Sequence, residues 1–224
     1  MTGKREDCVF RRAGAFVPGK ERAMNNILYK VHDNLYVNLT NRCPCACTFC
    51  LRQTTDRVGE SDSLWLKEEP DLAAVEKEFE SRNMDEYREV VFCGFGEPTE
   101  RFDLLVQVAD YVKRRWGKPI RLNTNGLGDL INGRDIVAEL RGRVDTVSIS
   151  LNTPDKEAYL ALVRPKFGEK SFDAMLSFAE RCVGVVQHVV LSTVSTTLTK
   201  EQEARCAEIC RRIGATYRIR PFES

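Results

Sequence analysis

No apolar run in this 224-residue sequence approaches the roughly 18 to 20 residues needed to span a bilayer, so no transmembrane segment is expected. Charge of one sign is lacking too. Lys and Arg number 34 against 33 Asp and Glu, which leaves no global field and argues against a nucleic-acid coat while permitting a local patch. The N-terminus has no secretory h-region and the nine cysteines are an odd number, so a secreted disulfide scaffold is disfavoured and a reducing cytoplasm fits. Histidine is scarce: His32 lies in an early turn, His188 starts a strand, and neither has a catalytic companion. Nothing resembles a Ser-His-Asp arrangement.

Residues 1–23 carry six Lys or Arg against three acids without apolar periodicity, and are expected to form a mobile tail ahead of a single domain over 24–224. Within that domain, apolar and β-branched runs at 35–39, 89–93, 119–123, 144–151, 187–194 and 216–220 read as strands. Helix-period segments lie between them. Leu72, Val75 and Phe79 share one face, as do Phe102, Leu105, Val106, Ala109 and Val112. Thr153 before Pro154 suits an N-cap, Thr199 with Gln202 a capping box, and Gly214 a C-cap. The alternation predicts an α/β fold with parallel strands and right-handed crossovers, either a doubly wound sheet or a (βα) barrel, whole or partial. Six strands are too few for the closed eight-stranded form.

In both architectures functional side chains gather at the C-terminal ends of strands. The unusual stretches of this chain all fall there: NRCPCACTFC (41–50) after the first run, GFGEP (94–98) after the second, TNG (124–126) after the third, Ser150 and Asn152 at the fourth. Arg218, Arg220 and Pro221 end the last run. Four cysteines within 43–50 would suit zinc only with a second pair, and the chain has no other CxxC, so iron and sulfur fit better. One partition stands out, Cys43-x3-Cys47-x2-Cys50, which can wrap three corners of a cubane and leave its fourth iron without a protein ligand. Cys45 is the remainder, its side chain expected to turn away from the arc of the other three. Cys206 and Cys210, one helical turn apart, and Cys182 read as core.

The three-cysteine spacing, with the aromatic Phe49 before the last cysteine, resembles that of the radical S-adenosylmethionine enzymes. In that family the open iron chelates the amino and carboxylate groups of the cofactor's methionine. The resemblance implies a 4Fe-4S cluster on Cys43, Cys47 and Cys50, with S-adenosylmethionine laid across the strand ends of a six-stranded partial TIM barrel, (βα)6. GFGEP is similar to the family's GGEP motif, which would bring the backbone of Gly94 and Gly96 to the cofactor and let Glu97 accept from the methionine ammonium. By the same resemblance, Thr124, Asn125, Ser150 and Asn152 would meet its carboxylate or ribose. Arg164, Arg218 and Arg220 place cations near the same rim, where guanidinium groups suit an anionic substrate or the cofactor.

Longer phrases (LYVNLTNRC, EVVFCGFGEPT, RLNTNGLGDLINGRDIV, VDTVSISLNTPD, RPKFGEKSF) resemble the TatD-associated radical SAM proteins. The resemblance implies reductive cleavage of S-adenosylmethionine to a 5′-deoxyadenosyl radical that abstracts hydrogen from an unidentified substrate, driven by a flavodoxin or ferredoxin. A TatD-like hydrolase is a possible partner on the family's name. The sequence stops after the sixth run, which leads to the expectation of an open barrel mouth and a large substrate or a partner acting as lid. The competing class is a non-catalytic iron–sulfur module for electron transfer or interaction; a zinc-binding nucleic-acid module would need a basic face and a paired knuckle that are missing.

Overall fold

The computed structural model describes residues 25–195 and 197–221, so the basic segment 1–23 lies outside the described residues. Seven strands form one sheet in sequence order. β1 (Leu28–Val31) and β2 (Asn34–Val37) make an antiparallel hairpin; β3 (Glu89–Phe92), β4 (Ile120–Thr124), β5 (Thr146–Ser150), β6 (His188–Val194) and β7 (Thr216–Arg220) follow β2 in parallel. The six expected strands are β2 to β7. β1 is additional: its four residues include Lys30, and its two-residue turn is His32-Asp33 rather than a glycine dipeptide, with His32 taking the left-handed conformation (φ 53°) such turns require.

Between the strands run α1 (Leu72–Glu80), α2 (Phe102–Trp116), α3 (Gly128–Asn132), α4 (Lys156–Val163), α5 (Lys170–Cys182) and α6 (Lys200–Ile213). Parallel strands that never reverse their order, joined by right-handed crossovers, put every connecting helix on one face of the sheet. A doubly wound sheet would reverse once and cover both faces, so the fold is the partial barrel, open between β1 and β7. The main core follows this arrangement. Val37, Phe92, Leu122, Ile149 and Leu191, alternate residues of successive strands, pack with Phe79 of α1, Leu105 of α2, Phe178 of α5 and Cys210 of α6. Each buried phenylalanine contributes about 2–3 kcal/mol. Residues of opposite parity, Val91, Cys93, Asn123, Ser148, Ser150 and Ser192 among them, line the other, concave face.

Local chemistry accounts for the helix ends. Thr199 and Gln202 form the expected capping box of α6, and Gly214 closes it at φ 84°. Thr153 is not the cap of α4: its hydroxyl accepts from Asp155 N at 3.4 Å, and the helix begins beyond Asp155, whose carboxylate is held by Arg205 instead of capping. Among the described residues no helix is long and apolar enough to cross a membrane.

Candidate functional site

The chain leaving β2 passes buried Asn38, Leu39 and Thr40 and enters the cysteine loop, which lies against the end of α4. The last carbonyls of a helix have no partner within it. Here Leu162 O accepts from Thr48 N (2.9 Å) and Val163 O from Ala46 N (3.1 Å), while Lys166 N donates to Pro44 O (2.8 Å). Cys45 and Pro165 pair as an isolated antiparallel bridge. Arg164 closes α4 in the left-handed region (φ 48°), with its side chain exposed. On the other side Gln53 Nε2 donates to Cys47 O at 2.7 Å, and the Arg52 guanidinium reaches the carbonyls of Asn41 (3.3 Å) and Cys45 (3.4 Å). The 44–48 segment is thus fixed by backbone bonds.

Cys45 does not turn away from its neighbours. Its buried thiol hydrogen-bonds to both Cys43 and Cys47, and Asn125 Nδ2 approaches its sulfur at 3.7 Å. Side chains two positions apart on an extended chain share a face, and the chain is extended at Cys45, where it bridges Pro165, so the CxC step keeps Cys45 beside its neighbours. Donation to Cys43 and Cys47, together with burial, raises the Cys45 pKa. The same donor lowers those of Cys43 and Cys47 against burial, with the Arg52 charge adding to the lowering. The three sulfurs thus lie close together, and Cys50 faces a cavity beside Cys47. Among the described residues no three His, Cys, Asp or Glu side chains already stand as a metal-holding set.

The donor chemistry nevertheless fits an iron–sulfur cluster: soft thiols gathered without carboxylate or imidazole competitors in the loop. Two buried polar atoms at the site, Tyr159 Oη on α4 and Asn152 Oδ1, have no hydrogen-bond partner among the described residues. Burial, and then the Cys45 and Cys47 sulfurs, raise the Tyr159 pKa, which puts its ring beside the cysteine loop.

GFGEP is fastened to the same loop. A Cβ on Gly94 would meet Asn38 Oδ1 at 2.1 Å, and one on Gly96 would meet Thr40 O at 2.2 Å, so both glycines are required for close packing against the chain leaving β2. Glu97 N donates to Arg42 O at 2.8 Å. The buried Glu97 carboxylate accepts from Thr99 N (3.2 Å), Thr99 Oγ1 (2.8 Å) and Thr124 Oγ1 (2.7 Å) on one oxygen and from Asn125 N (2.8 Å) on the other. A carboxylate has about four acceptor positions. Glu97 thereby ties the end of β3 to the end of β4, with three donors on Oε1 and one on Oε2, which keeps an acceptor position. Burial still raises its pKa in spite of these donors. Thr124 Oγ1 also accepts from Gly126 N (3.1 Å), and Asn125 Oδ1 from Leu127 N (2.8 Å).

At the end of β5, Ser150 lines the cavity, and Asn152 is buried at φ 64° with Nδ2 donating to Ser150 O at 3.3 Å. The cavity, about 300 Å³, is walled by Cys47, Phe49, Cys50 and Arg52 of the loop, Cys93, Gly94 and Phe95 after β3, and Val194 and Arg220 of β6 and β7. Of the residues expected to hold the cofactor, Gly94 and Ser150 are on its wall; Gly96, Glu97, Thr124, Asn125 and Asn152 are not, nor is Cys43. Arg52 and Cys93 are the residues that sequence reading passed over. Cys93 ends a strand and could have been found by the strand-end rule; Arg52 had no local signal beyond its place two residues after Cys50.

A sequence profile described as the Radical SAM superfamily matches residues 37–215. A GTP 3′,8-cyclase of Rhodococcus opacus (strain B4) is 29% identical over 191 residues, covering 85% of this chain and 51% of the relative, so the chain spans about half that protein's length. Among solved structures, Streptococcus suis SuiB bound to its precursor peptide SuiA matches with a TM-score of 0.64 at 17% identity, over 85% of this chain and 39% of SuiB. anSMEcpe with bound AdoMet matches with a TM-score of 0.57 at 18% identity, over 84% of this chain and 51% of that one. The structural likenesses speak for the fold, and the profile covers most of the sheet and the whole cysteine loop. The chain belongs to the radical SAM superfamily of enzymes, whose cofactors are a 4Fe-4S cluster and S-adenosylmethionine and which need an external one-electron reductant.

Proposed function

We propose that this protein is a radical SAM enzyme whose cluster is held by Cys43, Cys47 and Cys50, with Cys45 as a non-ligand. When bound, cluster and cofactor supply one-electron cleavage of S-adenosylmethionine to a 5′-deoxyadenosyl radical able to take hydrogen from a substrate. The observation carrying this reading is the convergence, at one rim, of Cys47 and Cys50 with Gly94 and Ser150 on a single cavity wall. Cys45 is buried and off the cavity wall on which Cys47 and Cys50 stand, which supports its reading as the non-ligand. The chain's own residues do the placing. Gly94 and Gly96 bring the loop after β3 against the cysteine loop, and Glu97, Thr124 and Asn125 lock that loop to β4. Ser150 offers a hydroxyl to the cavity, and Asn152 a buried carbonyl oxygen still in want of a donor.

Residues 24–224 are read as one domain. A flavodoxin or ferredoxin in the cytoplasm suits a cluster without disulfide protection, and a TatD-like hydrolase is the proposed partner on the phrases that resemble the TatD-associated group. The substrate is not given by the relative's name, since only half of that relative is spanned. Anaerobic reconstitution and reduction in the presence of S-adenosylmethionine is the test. Formation of 5′-deoxyadenosine and methionine is expected; an intact cluster with no 5′-deoxyadenosine would overturn the proposal.

A further inference from the structure

Among the described residues the concave face of the sheet carries three arginines and one glutamate. By strand alternation its charged residues are Glu89 on β3, Arg121 on β4, and Arg218 and Arg220 on β7. Glu89 is taken by Arg121 at 2.8 Å. Arg218 makes no ion pair or hydrogen bond among the described residues, and its neighbour across the ladder is the small Ser192. Arg220, two residues on, lines the same cavity as Cys93 and Ser150. The rest of this face mixes valines, Val91, Val190 and Val194, with the polar Asn123, Ser148, Ser150 and Ser192. Asn123 Oδ1 is buried without a partner, and Tyr36 on β2 lies near enough to feel both Arg121 and Arg218 across the trough.

We infer that the trough is the substrate site and that Arg218 and Arg220 bind a phosphoryl group of the substrate there; this rests on the radical SAM reading of the adjoining cavity. Residues two apart on one strand present side chains on the same face roughly 7 Å apart. A carboxylate is satisfied by a single guanidinium fork, whereas a multiply charged phosphate can engage both, and its non-bridging oxygens suit planar guanidinium donors. The location supports a substrate group and not only the cofactor: Arg220 borders the cavity, while Arg218 is one step further down the strand, towards Tyr36. The phosphoryl group would anchor the substrate in the trough and leave its remaining atoms towards the cavity, where hydrogen is taken.

The test uses the reconstituted protein with S-adenosylmethionine bound, titrated by calorimetry with inorganic pyrophosphate at low salt. Saturable binding is expected, weakened about tenfold or more in Arg218→Gln and partly retained in Arg218→Lys. Absence of saturable binding to the unmodified protein, or equal binding by Arg218→Gln, would overturn the inference. So would displacement of S-adenosylmethionine by pyrophosphate, which would assign the arginines to the cofactor. Since 5′-deoxyadenosine release on reduction is measured separately without pyrophosphate, failure of the radical chemistry and failure of the anion site are read in different assays. Arg218 is exposed, and unchanged melting of the variants excludes misfolding as the cause of lost binding.

Discussion

Cys45 reaches neither solvent nor the cavity wall, and its thiol lies between those of Cys43 and Cys47. Its replacement by alanine is expected to leave iron content and visible absorbance intact after anaerobic reconstitution, while alanine at Cys43, Cys47 or Cys50 abolishes both. A cluster lost from Cys45→Ala would make it a ligand. Gly96 is constrained differently. A methyl group there would press on the backbone of Thr40 and Arg42, which cannot yield, so Gly96→Ala is expected to cost about 1–3 kcal/mol in urea unfolding of the cluster-free protein. At Gly94 the obstacle is the Asn38 side chain, so the same change should cost less, mainly through loss of its 2.7 Å bond to Leu64 O.

Glu69 gives the pH dependence at this scale. Burial alone would raise its pKa, but hydrogen bonds from Thr40, Arg42 (3.0 Å) and Arg101 (2.9 Å) outweigh it and hold the carboxyl below its ordinary range. A depressed carboxylate stabilises the fold above its unfolded pKa, about 4.3, and the contribution disappears as pH falls through the folded value. Glu69→Gln should therefore lower stability by about 1 kcal/mol at neutral pH and converge on the unmodified protein in acid, as followed by melting temperature against pH. None of these contacts could be read locally: Glu69 lies 29 positions from Thr40, and Glu97 lies 27 from Thr124.

At the scale of elements, the strands were legible as short apolar and β-branched runs, cleanly alternating in burial in β4 and β5, because one face of the sheet is packed by helices. β1 was not, since a four-residue edge strand with a lysine and a His-Asp turn has too little pattern to distinguish it from a loop. The start of α4 was misplaced because the Thr-Pro signal is real but serves a turn, with Asn152 at positive φ just before it. Docking of the cysteine loop on α4 left no local trace at all. It leads to a definite expectation: the amides of Ala46 and Thr48, bonded to the end of α4, should stay protected from hydrogen exchange without the cluster. Rapid exchange at both in the cluster-free protein would show that the metal, not the helix, orders the loop.

For the whole molecule, sequence order within the sheet decides the architecture. One-directional winding leaves a concave face with no helix over it among the described residues, and that face collects Arg121, Arg218, Arg220 and Cys93 from strands far apart in the chain. The strand-end rule located the rim correctly as a place, because it depends only on topology. It could not say which rim residues reach the cavity, because that depends on curvature: Cys93 after β3 and Arg220 of β7 share one wall only because the sheet bends them together.

The seat of the cysteine loop also sets an order of events in biosynthesis. Thr48 and Leu162 are 114 positions apart, so on a ribosome all four thiols emerge long before the helix end that shapes them has been made. During that interval the cysteines are open to oxidation and to stray metals, and a cluster carrier would find no formed cradle. Delivery of iron and sulfur should follow release of most of the chain: nascent chains stalled before residue 162 are expected to retain no cluster when offered a loaded carrier, and chains stalled with α4 and its following turn exposed are expected to accept one.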